Sequence, residues 1–292
     1  MSSPLHTLQL PQGPIDYLDQ GTGQPLVFVH GLMAGHEVWS PLIPKLGPGL
    51  RCIVPTWPLG AHARPMAADA DLSAPGVAQL IADFIEALDL REVILIGNDS
   101  GGALVQMVCA RFPQRIARMV LTTCDAYDIF PPPAFAYLRW MAHVPLLVWE
   151  AAQLMHYVPP LRRLPFTFGD VVEGTLPGHL VERWLQPLRS NAGVRRDLCK
   201  FMRSLSPRHT QAAAEALKGF DRPVLLLWST DCHHFPQRLA ERMVQEWPDA
   251  RVEWVQSRGV FLSLDHPAPL AAAMRRFVVQ PVQALQELRA AS

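Results

Sequence analysis

The stretch from Val93 to Gly102 restricts the fold of this chain more than any other. Val93-Ile94-Leu95-Ile96 is a short apolar run rich in β-branched residues and reads as a buried strand. It breaks at Gly97, and Gly97-Asn98-Asp99-Ser100-Gly101-Gly102 leads straight into a helical pattern, Ala103-Leu104-Val105-Gln106-Met107-Val108. A strand that turns sharply into a helix needs small residues where the backbone crowds. It also lifts one side chain above the edge of the sheet. The residue at the tip here is Asp99, a carboxylate.

The rest of the chain repeats the strand–helix alternation. Leu8–Leu10 and Ile15–Leu18 suggest an opening hairpin, followed by strands at Pro25–Val29, Arg51–Pro55, Val93–Ile96 and Met119–Thr122. The pattern resumes at Pro223–Trp228 and Arg251–Val255, and apolar residues at helical spacing fill Val77–Leu88, Leu239–Trp247 and Leu270–Val278. Continuous apolar strands alternating with helices predict an α/β protein with a mostly parallel central sheet flanked by helices. Between residues 129 and 215 no strand pattern appears; aromatic-rich helical segments and prolines stand there instead. This predicts a core of residues 1–128 and 216–292 with a helical cap, 129–215, inserted.

Composition narrows the partners. Lys+Arg and Asp+Glu both number 26, and no basic stripe stands out, which argues against nucleic acid and against an anionic membrane. The most apolar window, Phe135–Met155, carries Arg139, His143 and Glu150 and is interrupted by Pro145, so it reads as a lid helix and not as a membrane span. Five widely spaced cysteines without a Cys-x-x-Cys pair, and an N-terminus without a signal-peptide pattern, predict a cytoplasmic protein with free thiols.

On these residues the chain resembles the α/β-hydrolase superfamily over nearly its whole length. His30-Gly31 at the end of the third strand is similar to that family's oxyanion loop. The resemblance implies that the N–H groups of Leu32 and Ser100 face developing negative charge. Asp99 at the turn resembles the haloalkane dehalogenase and epoxide hydrolase branch, where an aspartate attacks an alkyl carbon. Ser100 is an alternative nucleophile, although the two glycines begin two residues after Asp99, as the family turn requires. A plain helix N-cap is the bland reading of Asp99.

The same resemblance exposes gaps. In Ser257-Arg258-Gly259-Val260-Phe261, valine stands where the family carries its histidine, and a valine cannot accept a proton. One position for the supporting acid falls on Cys232, with Asp231 one residue early; the other, after the strand Met119–Thr122, holds Asp125, which we prefer. His62 and His266 are the candidates for a replacement base. His36 and His233-His234 are loop residues near the same edge, and adjacent histidines do not make a metal site. The chain resembles in particular an actinobacterial-type subgroup with a Gly-Asn-Asp-(Thr/Ser)-Gly-Gly turn, a Pro-Leu-Gly-x-His loop and no histidine in the last motif.

Three functions follow. The first is hydrolysis of a small, largely apolar molecule by Asp99, in a pocket that His36, Trp39, Trp140 and Trp149 would line. The second is a lyase or cyclase using Asp99 as acid or base, and the third a ligand-binding homologue without chemistry. No cofactor or metal is implied, and a homodimer is compatible with the sequence.

Overall fold

The computed structural model describes residues 4–279; residues 1–3 and 280–292, which the predicted core division includes, lie outside the described residues. The chain opens with an antiparallel hairpin, β1 (Leu5–Leu10) and β2 (Gly13–Gln20). It continues through β3 (Gln24–Val29), a short helix α1 (Ile43–Leu46), β4 (Leu50–Pro55), α2 (Ala74–Ala87), β5 (Val93–Asp99), α3 (Ser100–Arg111) and β6 (Ile116–Cys124). Five helices follow: α4 (Tyr137–Met141), α5 (Pro145–Tyr157), α6 (Gly178–Ser190), α7 (Ala192–Ser204) and α8 (Pro207–Leu217). The sheet resumes with β7 (Val224–Ser229), then α9 (Arg238–Glu246), β8 (Ala250–Val255), α10 (Leu262–Asp265) and α11 (Pro267–Val279).

The eight strands lie in the order β1-β2-β4-β3-β5-β6-β7-β8. Pairing is antiparallel at β1/β2 and β2/β4 and parallel from β4 to β8. The central strands are buried on both faces, which is why they read as unbroken apolar runs without alternation. Helix α3 is buried from Ser100 to Cys109, because it packs against β5 and β6 and is covered by α2 and α8. A helix enclosed on every side has no polar face to show. Ser73 caps α2 by accepting from the Gly76 N–H at 3.2 Å, and Asn191 caps α7 through the N–H groups of Gly193 and Val194.

The insertion between β6 and β7 holds helices joined by turns, with no strand among the described residues. Pro145 interrupts the apolar window as the sequence suggested, with a break at residues 142–144 between α4 and α5. It stands in the first turn of α5, where the absent N–H has no partner to lose. Helices α4 to α7 contact one another, whereas α8 packs against α3 of the core.

Candidate active site

Strand β5 ends at Asp99 and α3 begins at Ser100, with no residue between them. Asp99 bears the whole turn, at φ 53 and ψ −134. A non-glycine residue held there costs on the order of 1–3 kcal/mol. The turn closes because α3 passes right against the oxyanion loop: a Cβ on Gly101 would overlap the carbonyls of Val29 and His30. Across the turn, a Cβ on Gly31 would run into the Asp99 carboxylate itself. These glycines bring two backbone segments within hydrogen-bond reach of one carboxylate.

The Leu32 N–H donates to Asp99 Oδ2 at 3.2 Å, and the Ser100 N–H also donates to the carboxylate. Burial outweighs these donors and raises the Asp99 pKa to about 6. His30 holds the loop in place. Its Nδ1 donates to the Gly31 carbonyl at 2.9 Å and its Nε2 accepts the Trp57 N–H at 2.8 Å, which fixes the tautomer. Burial lowers the His30 pKa to about 4, so it is a neutral strut and not a base.

Asp125 lies one residue beyond Cys124, the register partner of Asp99 in β6. It is fully buried, and neither carboxyl oxygen has a close hydrogen-bond partner among the described residues. The Ser100 hydroxyl and the Asp125 backbone N–H favour its charged form. Burial, and then the charge of Asp99, push its pKa well above the usual carboxylate range. Two adjacent carboxyls in a dry site cannot both ionise. At neutral pH the charge therefore sits on Asp99, which has the two N–H donors, and Asp125 keeps its proton.

Asp99 and Ser100 stand at the floor of a cavity of about 430 Å³. Its wall is apolar, with Leu138, Met141, Val148, Met155 and Phe168 from the insertion facing Val260 and Phe261 from the core. The few other polar groups are mostly engaged. Tyr137 donates to the Phe166 carbonyl at 2.8 Å, and the Thr167 hydroxyl bonds the Leu161 and Leu164 carbonyls at 2.8 and 2.9 Å. Val260 lines the cavity, tied by its N–H to the Val171 carbonyl and by its carbonyl to Asn98 Nδ2. Cys232 is buried, and desolvation pushes its thiol up to about 11, so it carries no charge to serve as the supporting acid.

The structure corrects the remaining sequence expectations. His62 does not reach the cavity. Its Nε2 lies 3.3 Å from Asp197 Oδ2 on α7, an acid that also holds the Met66 N–H and Arg196. His266 pairs with Glu173 at 3.1 Å instead of facing Asp99. Among the described residues no histidine nitrogen pairs with the Asp99 carboxylate.

None of the four expected pocket residues lines the cavity. His36 bonds Thr56 Oγ1 at 2.7 Å, and Trp39 is sealed in the core against Phe28. Trp149 donates to the Arg189 carbonyl at 3.1 Å, and Trp140 points outward, 79% exposed. His234, which the sequence placed in a loop near the same edge, does line the cavity, its ring tilted against Phe135 and its pKa lowered by burial. Its place after β7, directly before Phe235-Pro236, was the available signal. Among the described residues no cluster of three His, Cys, Asp or Glu side chains could hold a metal ion.

The chain is similar over nearly its whole length to several known proteins. "Haloalkane dehalogenase 2" of Mycobacterium tuberculosis strain H37Rv is 24% identical over 90% of this chain and 91% of its own. The "cis-3-alkyl-4-alkyloxetan-2-one decarboxylase" of Shewanella oneidensis is 20% identical over 98% of this chain and 95% of its own. Among solved structures, haloalkane dehalogenase DbeA from Bradyrhizobium elkani superposes with a TM-score of 0.76 at 17% identity, covering 99% of both chains. Epoxide hydrolase CorEH superposes at 0.75 and 18%, covering 94% of this chain and 98% of its own. The model of the alpha/beta hydrolase family matches residues 26–273, and the chain belongs to that family.

Proposed function

We propose that this protein acts on a small, largely apolar electrophile with Asp99 as the attacking carboxylate. The observation that carries the reading is the carboxylate at the strained turn, held by the Leu32 and Ser100 N–H groups at the floor of an apolar cavity. The Leu32 N–H holds Oδ2, and on this reading Oδ1 attacks an electrophilic carbon. The new C–O bond forms as the leaving group departs with its electron pair, giving an alkyl ester of Asp99. Protonated Asp125 beneath it keeps the single charge of the pair on the nucleophile.

Release of that ester by water would need a base, and Val260 supplies none. Incubation with a panel of short haloalkanes and epoxides, followed by intact-mass measurement, tests the reading. An adduct mapped to the peptide of Asp99, absent from Asp99→Asn, is expected. Neither adduct nor turnover on any member of the panel sinks the proposal.

The missing base favours a second reading, in which the chemistry ends without water. An oxetan-2-one, the class named for the Shewanella relative, meets that requirement. Asp99 would attack the ring carbon that bears oxygen, opening the C–O bond to a free carboxylate. Loss of carbon dioxide would then form the alkene and expel Asp99 as carboxylate, with no water consumed and no proton moved. Alkene released from a cis-dialkyl oxetan-2-one, read by gas chromatography, supports this reading; an unchanged lactone refutes it.

A further inference from the structure

Helix α5 is apolar on its inner side and largely apolar on its outer side, where Glu150 is the one charge, between Leu146 and Leu154. Its inner face buries Val148, Ala152 and Met155, while Leu146, Leu147 and Leu154 are 58%, 44% and 54% exposed. A helix on the surface of a water-soluble protein ordinarily turns charge outward. Of the twelve large apolar side chains exposed among the described residues, nine lie between Tyr137 and Phe166. Scattered exposure needs no explanation; concentration on one face marks an interaction surface.

Charge says what kind of surface meets it. Residues 129–169 contain three arginines and a single acid, Glu150, although the whole chain is neutral. Arg162 is engaged with Glu182, while Arg139 and Arg163 are exposed and have no ion-pair partner among the described residues. Trp140 and Tyr157, 79% and 72% exposed, are the amphipathic aromatics that settle at a boundary between apolar and aqueous phases. A second copy meeting this patch across a two-fold axis would bring like-charged arginines together. An anionic lipid surface is attracted by them.

The patch is also continuous with the site. Tyr137, Leu154 and Phe166 belong to the cavity wall and are at the same time 41%, 54% and 47% exposed. The apolar lining thus reaches the surface within the patch. We propose that this face of the helical insertion docks on an anionic lipid bilayer, with α5 lying in the headgroup region and the cavity opening toward the lipid. No helix among the described residues is long and apolar enough to cross a membrane, so the association is peripheral. The inference is independent of what Asp99 does.

Co-sedimentation of the full chain with vesicles tests it. Binding is expected to phosphatidylcholine mixed with phosphatidylglycerol, and weaker binding to phosphatidylcholine alone. Arg139→Gln and Arg163→Gln should each weaken the anionic preference about five-fold. Leu146→Glu with Leu147→Glu should abolish binding; both positions are exposed, and an unchanged circular dichroism melt confirms folding. Trp140→Ala, with its loss of blue-shifted fluorescence on vesicle addition, gives a second readout. Absence of sedimentation with either vesicle, or binding that survives the Leu146/Leu147 double substitution, overturns the proposal. So does a dimer in sedimentation velocity that the same double substitution dissolves, because the patch then serves a second copy.

Discussion

Replacing Asp99 by asparagine should make the protein more stable, and only above acid pH. Burial displaces the Asp99 pKa from 3.8 to about 6. Between these values the unfolded chain has lost its proton while the folded chain still holds it. The folded state therefore binds more protons, and this group's contribution to stability falls as pH rises from about 4 to about 6. Above about pH 6 the cost levels off at roughly 3 kcal/mol, taking about 1.4 kcal/mol per unit of pKa. Full burial leaves no solvent screening to discount it.

Asparagine keeps an acceptor for the Leu32 and Ser100 N–H groups and carries no charge to desolvate. For a chain of this length a gain of that size corresponds to about 5 °C in melting temperature. Urea unfolding of the parent and of Asp99→Asn at a series of pH values measures the difference. It should be near zero at pH 4, grow through pH 6 and plateau at pH 8. A difference that is independent of pH, or a variant less stable than its parent at pH 8, refutes the claim that the carboxylate is strained electrostatically at the turn.

Other expectations follow from the same geometry. The rate of ester formation on Asp99 should rise with pH and level off above about 6, because only the ionised carboxylate attacks; a flat profile from pH 5 to 8 in a rapid-quench mass assay contradicts it. Asp125→Asn should leave that lower limb in place, since Asp125 is already neutral; a limb shifted down by a unit would show that Asp125 had been charged. Val260→His restores a base in the wall of the cavity that holds Asp99, and should convert a persistent ester into one released about 100-fold faster. His62→Ala should cost about 1 kcal/mol in stability through the lost Asp197 contact, with ester formation unchanged; loss of reactivity in a folded variant would return His62 to the catalytic machinery.

Much of the fold was legible in local pattern. The β5–turn–α3 unit, the strand positions and the helical insertion are all carried by apolar period and by glycines whose Cβ would collide, and such features need no distant partner. Asp99 was legible for the same reason, as were the loss of a base at Val260 and of an acid at Cys232, which are simple identities at positions within a motif. The pocket was not legible. Trp39, Trp140 and Trp149 are apolar aromatics of the right kind, yet which way each points depends on packing between elements far apart in sequence.

The same holds for electrostatics. Overall neutrality says nothing of which apolar residues of 129–169 stay exposed, since charge balance is a sum and exposure depends on position. Nor could the sequence tell that Asp125 has no cation near it, that His62 answers to Asp197, or that His234 reaches the cavity. By itself the sequence determined the architecture and the carboxylate at its turn, because local sterics and hydrophobic period decide both. Only the tertiary structure decided the charge state of that carboxylate, the groups that surround it and the face the cavity opens on, because desolvation and contact are properties of chain segments brought together.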